Sequence, residues 1–268
     1  WFDKWSIRMR RMVGRKVPII ATLEGLAGDS EREKYFSDVA GHPVYCGRVS
    51  SKELRRIDWS LREAENVFAI SPFLAKMGAA IYGDKFSVLP LGVDRAVFHS
   101  RGRAASCRFK VIGIGRLYEG KRPWIFLEMA GKFPEANFTW YGDGELRAKL
   151  LKDITRLGLD NVSFPGALPN AEIADQLRSA DLLVLPSHSE GVPKVSQEAA
   201  ACGVAVVLYG FYESPSVVDG ENGYVVWSDE ECFSRVGELI DSPEKAESMG
   251  AQGVRMSMDW GWDAVVSR

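Results

Sequence analysis

Short apolar runs alternate with amphipathic stretches along most of this chain. The runs are typical of strands buried on both faces, and they predict strands over residues 17–23, 66–70, 86–90, 109–114, 137–141, 161–164, 181–186 and 204–208. Helical spacing of apolar residues predicts helices over residues 52–64, 72–81, 123–132, 145–157, 171–179, 195–202, 230–240 and 243–254. Strands separated by helices predict parallel sheets covered by helices, which is the α/β class.

A small, polar segment interrupts this alternation at residues 100–106, which read Ser-Arg-Gly-Arg-Ala-Ala-Ser. Its composition is typical of a linker. We therefore predict a first domain over residues 1–100 and a second over 107–256, with the tail 257–268 packing back on the first domain. In a doubly wound sheet, ligands bind beyond the carboxyl ends of the strands, so the chemistry is expected on the loops that follow them.

Composition excludes several classes of function. The chain has 268 residues and a formal charge of −2, which argues against general nucleic-acid binding. Its apolar runs are shorter than the roughly 18 residues that span a bilayer. The four cysteines form no C-x-x-C pair and the three histidines lack helical ligand spacing, so no metal site is expected.

The first sixteen residues mix six Lys or Arg side chains with aromatic and aliphatic ones. Such a mixture is typical of a segment that lies on an anionic membrane surface. It is equally typical of an ordinary helix with one solvated face. The sequence leaves both interpretations open.

Two loops in the second half carry candidate chemistry. After the strand at 109–114, Arg116 and Lys121 lie on either side of a glycine-containing turn, where a guanidinium fork and an ammonium group suit phosphate oxygens. After the strand at 181–186, Glu190 and Glu198 bracket the start of a helix, and a helix N-terminus favours an anion. In the first loop, the alternative is that close packing alone requires the glycines. In the second loop, the alternative is that Glu190 caps the helix and Glu198 is a solvated helix residue.

Residues 109–226 resemble the donor-binding domain of the retaining, family 4 glycosyltransferases, which have the GT-B fold. The family's G-R-L-x-x-x-K segment matches residues 115–121, and its Glu-x7-Glu signature matches Glu190 to Glu198 with the intervening wording E-G-V-P-K-V-S-Q-E-A. The segments Gly-Asp-Gly at 142–144, Phe-Pro-Gly at 164–166 and Val-Asp-Gly-Glu-Asn-Gly at 218–223 follow in family order. The resemblance implies a GT-B type α/β fold with a complete Rossmann-like C-terminal donor domain and a partial Rossmann-like N-terminal acceptor domain.

The resemblance also implies roles for individual residues. Arg116 and Lys121 would hold the donor diphosphate and stabilise the charge of the leaving nucleotide, and Glu190 would contact the transferred sugar. Glu198 would accept hydrogen bonds from the ribose. The full set of implied donor-binding residues is Gly115, Arg116, Lys121, Gly142, Gly166, Leu168, Ser187, Glu190, Gly191, Val192, Pro193, Lys194, Val195 and Glu198.

The first domain resembles only the second half of a GT-B acceptor domain. Its candidate acceptor-side residues are Glu24, which stands where the family often carries a histidine, and Ser71. The family's first strand and its glycine-rich loop have no match, so we expect the chain to lack the start of that domain.

The implied activity is metal-independent transfer of a sugar, with retention of configuration, from a UDP- or GDP-linked donor to an acceptor hydroxyl. The acceptor would be a saccharide, a lipid-linked molecule or a small molecule, with no cofactor and no nucleic-acid partner. We expect a cytoplasmic protein, with peripheral contact at the inner membrane face if the basic opening binds lipid. The alternative is a truncated nucleotide-sugar-binding module without turnover of its own.

Overall fold

The computed structural model describes residues 20–101 and 108–266. They form two compact units. The first consists of the described residues up to Pro90 together with Ser189–Val192 and Phe211–Glu213, and the second contains Leu91–His188, Pro193–Gly210 and the residues from Ser214 onward. The basic opening and residues 102–106 of the predicted linker lie outside the described residues, so membrane contact stays a prediction.

A small parallel sheet organises the first unit. Its strands are β1 (Ile20–Leu23), β4 (Asn66–Ala69) and β5 (Phe86–Val88), in the order β1-β4-β5, and a two-residue pair, β2 (Ala27–Gly28) and β3 (Gly47–Arg48), lies apart from them. The helices are α1 (Ser30–Ala40), α2 (Ser51–Glu63) and α3 (Pro72–Tyr82).

Local sequence signals explain where these helices begin. Ser50 and Glu53 form a reciprocal capping box at the start of α2. At α3, the Ser71 hydroxyl accepts a hydrogen bond from the Leu74 amide at 3.2 Å, and Pro72 occupies the first turn, where its missing N–H costs nothing.

The second unit is built on a six-stranded parallel sheet with the order β11-β10-β9-β6-β7-β8. Its strands are β6 (Lys110–Ile114), β7 (Asn137–Tyr141), β8 (Val162–Gly166), β9 (Leu182–Leu185), β10 (Ala205–Tyr209) and β11 (Gly223–Val226). The chain runs outward from β6 to β8 and then returns to the other side of β6. The strand order therefore reverses between β6 and β9, which is where such folds bind ligands.

Among the described residues, the α-helices that accompany this sheet are α4 (Ile125–Lys132), α5 (Arg147–Leu157), α6 (Asn170–Ser179), α7 (Lys194–Cys202), α8 (Asp229–Asp241), α9 (Pro243–Ser257) and α10 (Trp262–Val266). Every residue of β9 and β10 is buried, as expected for central parallel strands covered on both faces. Helix α9 packs closely against the backbone that follows α7. A Cβ on Gly250 would lie only 2.0 Å from the Gly203 carbonyl oxygen, so this position requires glycine. No helix within the described ranges is long and apolar enough to cross a membrane.

The predicted α/β class is confirmed, and the predicted strands and helices are present within a few residues of their expected bounds in the described ranges. The pattern did not predict α1, β2, β3, β11 or α10. Helix α1 buries only Phe36, so its sequence carries almost no apolar period. Strand β8 continues through Pro165, which the sequence placed beyond the strand; β8 is an edge strand, where a proline is tolerated.

The segment after Pro90 packs within the second unit, although the sequence assigned residues 91–100 to the first domain. The Val93 amide donates to the Trp260 carbonyl at 2.8 Å, and Arg178 donates to the Val97 carbonyl at 3.0 Å. The tail therefore contacts residues of the predicted first domain, but these residues themselves belong to the second unit.

Candidate active site

Three glycine-containing loops lie side by side where β6, β7 and β8 end. The Gly115 amide donates to the Tyr141 carbonyl at 3.0 Å, and the Gly142 amide donates to the Gly166 carbonyl at 2.9 Å. Gly142 has a φ of 149°, and a Cβ there would lie 1.9 Å from the Gly115 carbonyl oxygen. The loops thus contact each other through backbone atoms alone. Because these glycines have no side chains, a ligand can approach the backbone closely here.

Arg116 and Lys121 lie beside this backbone. Arg116 is exposed, and its guanidinium carbon lies 5.7 Å from the centre of the Tyr118 ring. Lys121 ends a short 3-10 turn, Glu119–Lys121, and its side chain folds back so that Nζ lies 3.8 Å from where a Cβ on Gly115 would stand. The Lys121 side chain therefore lies over Gly115, which directly precedes Arg116 in the chain.

The second predicted loop leads into α7. Pro193 is the N-cap residue of this helix and has no side-chain acceptor, so the N–H groups of the first turn are not capped by its side chain. Lys194 and Val195 belong to that first turn. Ser187 is fully buried, and its hydroxyl has no hydrogen-bond partner among the described residues.

Glu198 projects from the second turn of α7 and is half-buried. Burial raises the pKa of its carboxyl group above the ordinary value, and the Lys194 ammonium one turn earlier lowers the pKa only in part. A carboxylate in such surroundings gains from hydroxyl groups that donate to it.

Three residues of the second predicted loop and the two candidate acceptor-side residues belong to the first unit. Glu190, Gly191 and Val192 lie there, and a Cβ on Gly191 would stand 1.8 Å from the Glu24 carbonyl oxygen. The Glu24 side chain is exposed, whereas the Ser71 hydroxyl is fully buried as the cap of α3. Leu168, another of the predicted donor-binding residues, belongs to the second unit and is half-buried just after β8.

A family profile described as Glycosyl transferases group 1 matches residues 95–256. The chain belongs to this family. It is 32% identical over 200 residues to the D-inositol 3-phosphate glycosyltransferase of Segniliparus rotundus. The aligned residues make up 67% of this chain and 44% of that protein. It is 27% identical over 293 residues to the GDP-mannose-dependent alpha-(1-6)-phosphatidylinositol monomannoside mannosyltransferase of Mycolicibacterium smegmatis, covering 95% of this chain and 76% of that one.

The fold is that of the GT-B glycosyltransferases. The structure of the Anabaena protein HepE in complex with UDP and glucose superimposes with a TM-score of 0.75 at 20% identity, over 96% of this chain and 70% of that one. The chain spans about half the length of the first curated relatives that it matches.

One cluster in this group 1 glycosyltransferase chain was not predicted from its sequence. Arg122 is buried and binds Asp229, whose other carboxylate oxygen accepts a hydrogen bond from Tyr209 at 2.6 Å. The only sequence signal was that Arg122 follows Lys121 directly, and nothing in the pattern linked it to a carboxylate in the first turn of α8.

The His188 ring lies against the same cluster, with its centre 6.1 Å from that of Tyr209. Burial lowers the pKa of His188 to about 4, and the positive charge of Arg122 contributes in the same direction. His188 is therefore neutral at physiological pH.

Within the described ranges, no three His, Cys, Asp or Glu side chains are grouped so as to hold a metal ion.

Proposed function

We propose that this chain is a glycosyltransferase that moves a sugar from a nucleotide-sugar donor to an acceptor hydroxyl. The observation that carries the proposal is that the Lys121 side chain lies over the bare backbone of Gly115, next in the chain to Arg116, where the strand order of the sheet reverses. Family membership supports the same activity.

The diphosphate of the donor is the group that best suits the two cations. Arg116 presents a planar fork to phosphate oxygens, and Lys121 supplies a compact charge. As the glycosidic bond breaks, negative charge grows on the departing diphosphate, and fixed cations stabilise that charge more than they stabilise the intact donor. We propose that these side chains supply the positive charge that transfer needs, so that the reaction proceeds without a metal ion.

Glu198 is proposed to bind the ribose. Neighbouring sugar hydroxyls can donate two hydrogen bonds to one carboxylate, and such bonds offset the cost of burying its charge. The first N–H groups of α7 are proposed to face the diphosphate, since a helix N-terminus favours negative charge.

Retention of configuration is proposed from the Glu-x7-Glu resemblance, in which Glu190 contacts the transferred sugar. The acceptor is proposed to be a hydroxyl of a polyol or of a lipid-linked saccharide, because the relatives above are named for D-inositol 3-phosphate and for a phosphatidylinositol mannoside. The donor is proposed to carry UDP or GDP. Action at the cytoplasmic membrane face belongs to the same proposal.

Calorimetric titration of the chain with UDP, GDP and ADP, each in the presence of EDTA, tests the donor site. We expect micromolar binding of UDP or GDP without added metal. Transfer is then assayed with radiolabelled UDP- and GDP-sugars and inositol-containing acceptors, and the anomeric configuration of the first product is read by NMR. Binding without transfer would favour a binding module, whereas no binding of any nucleotide would contradict the proposal.

A further inference from the structure

We propose that Arg122 is a positioning residue. It holds the loop that carries Lys121 in a fixed position relative to the loop that follows β9. Its expected effect on the donor rests on the proposed function, but the geometry that it maintains can be measured in the free protein. Arg122 itself is 8% exposed and is not part of the surface offered to a ligand.

The backbone at Arg122 is held in an unusual conformation. Its φ is 52°, in the left-handed region that side-chain-bearing residues rarely adopt. The residue ends the turn Glu119–Lys121, and its amide donates to the Glu119 carbonyl at 3.0 Å. A conformation of this kind persists only where the surroundings enforce it, so the side chain must be anchored firmly.

The guanidinium group supplies that anchor through partners from three distant segments. Nη2 donates to the Asp229 carboxylate at 2.5 Å, and Nη1 donates to the Pro186 carbonyl at 3.4 Å. The group also lies over the Tyr209 ring, 5.4 Å from its centre. Burial is the largest single influence on Arg122 and lowers its pKa, but the hydrogen bond to Asp229 and the interactions with Tyr209 and the Asp229 charge together outweigh burial, and the pKa of Arg122 is raised.

A second, backbone contact joins the same two loops. The His188 amide donates to the Gly120 carbonyl at 3.3 Å, one residue before Lys121. The side chain of Arg122 and the backbone of Gly120 therefore tie the loop after β6 to the loop after β9. These strands are neighbours in the sheet, and the strand order reverses between them.

This arrangement determines where the Lys121 ammonium group lies. Lys121 precedes Arg122 directly, so a change of φ at Arg122 would rotate the turn that carries Lys121. A displacement of about 1 Å in a group that contacts the reacting centre is enough to cost about a hundredfold in rate. A buried ion pair is in itself weak evidence for global stability, so its effect is expected at the loops.

The chain contains a matched control for this cluster. Arg235 pairs with Glu238 at 2.9 Å, and its guanidinium lies 4.4 Å from the centre of the Tyr224 ring. Arg235, Glu238 and Tyr224 thus form a second cluster of arginine, carboxylate and tyrosine in the same unit. These residues belong to β11 and α8, and none of them lies on the loop after β6 or the loop after β9.

The test uses the variants Arg122→Gly, Arg122→Lys and Asp229→Asn, with Arg235→Ala as the control. Glycine removes the guanidinium while tolerating the left-handed backbone, and Asp229→Asn weakens the same ion pair without altering the backbone at residue 122. Amide hydrogen exchange of the free protein is followed in peptides covering residues 115–122 and 183–188, and the global free energy of unfolding is measured in urea. Affinity for UDP and GDP is measured for each variant.

We expect Arg122→Gly and Asp229→Asn to accelerate exchange at least tenfold in both loops together, beyond any change in global stability, with Arg122→Lys in between. The affinity for whichever nucleotide the unaltered chain binds should fall tenfold or more, and Arg235→Ala should change neither quantity. Exchange within twofold of the unaltered chain in Arg122→Gly, or faster exchange spread evenly over the whole unit, would overturn the proposal. If the unaltered chain binds neither nucleotide, the proposed function fails, and the exchange data still decide the role of Arg122.

Discussion

Gly142 and Gly115 approach so closely that a Cβ on Gly142 would lie 1.9 Å from the Gly115 carbonyl oxygen. Gly142 also has a φ of 149°. The contact joins the loops after β7 and β6, and it keeps the backbone beside Arg116 and Lys121 free of side chains. A methyl group at this position cannot be accommodated unless one of the loops moves.

Gly142→Ala is therefore expected to lower the free energy of unfolding by about 2–4 kcal/mol and to abolish nucleotide binding. Gly158→Ala is the matched control, because Gly158 also has a positive φ, 66°, but a Cβ there would meet nothing within 4 Å. The control should cost only about 1 kcal/mol. Urea denaturation of both variants decides the matter, and equal losses would contradict the steric argument.

Arg116→Ala and Lys121→Ala are each expected to lower kcat/KM for the donor by about a hundredfold, since each removes a cation from the departing diphosphate. Both side chains lie on a loop, so the free energy of unfolding should change by less than about 0.5 kcal/mol. Lys149→Ala, on the exposed face of α5, controls for the loss of a positive charge. Steady-state kinetics with normal turnover in Arg116→Ala would rule out the assigned role.

Glu198→Gln is expected to affect the free energy of unfolding and the nucleotide affinity in opposite directions. Because burial raises the pKa of Glu198, the folded chain binds a proton there more readily than the unfolded chain, and stability falls as the pH rises from 4.5 through the raised pKa. The amide variant lacks this penalty and should be more stable than the unaltered chain above that range. Urea titrations at a series of pH values measure the difference.

The same variant tests the ribose contact. Its affinity for UDP or GDP should fall about tenfold, which is about 1.4 kcal/mol. A 2′,3′-dideoxy analogue of the same nucleotide should bind equally to the variant and the unaltered chain, because it offers no hydroxyl groups to the carboxylate. An equal loss with both ligands would place Glu198 away from the ribose.

His188 is expected to make the chain acid-sensitive. Its pKa is about 4 in the folded chain against an ordinary 6.5, because it is buried and faces Arg122, while Asp229 opposes the shift. Between these values the unfolded state binds more protons, so stability is present above pH 6.5 and is lost as the pH falls to 4. After allowance for solvent screening, the loss should be roughly 2 kcal/mol.

His188→Gln should not show this loss. The two proteins are compared by urea denaturation between pH 7.5 and 4, and the difference between their unfolding free energies is plotted against pH. A difference that does not change with pH would show that His188 is not held neutral by its surroundings.

Several elements could be predicted because their signals are local. Strand β7 has the predicted bounds, Asn137–Tyr141, and α3 begins where Ser71 and Pro72 indicated. The contacts among the glycine loops at 115, 142 and 166 involve residues that the sequence already marked, since these glycines occur in short ordered segments. Helix α1 was missed because its eleven residues bury only Phe36 and carry no apolar stripe.

By itself, the sequence determines the alternation of strands and helices, the two cations beside Gly115 and the family, because these depend on spacing along the chain and on short segments. The tertiary structure decides which of those segments meet. Arg122 and Asp229 are separated by 107 positions, and the Gly142 contact with Gly115 joins two different strands. Such pairings follow from strand order and from the packing of buried groups, and neither leaves a periodic signal in the sequence.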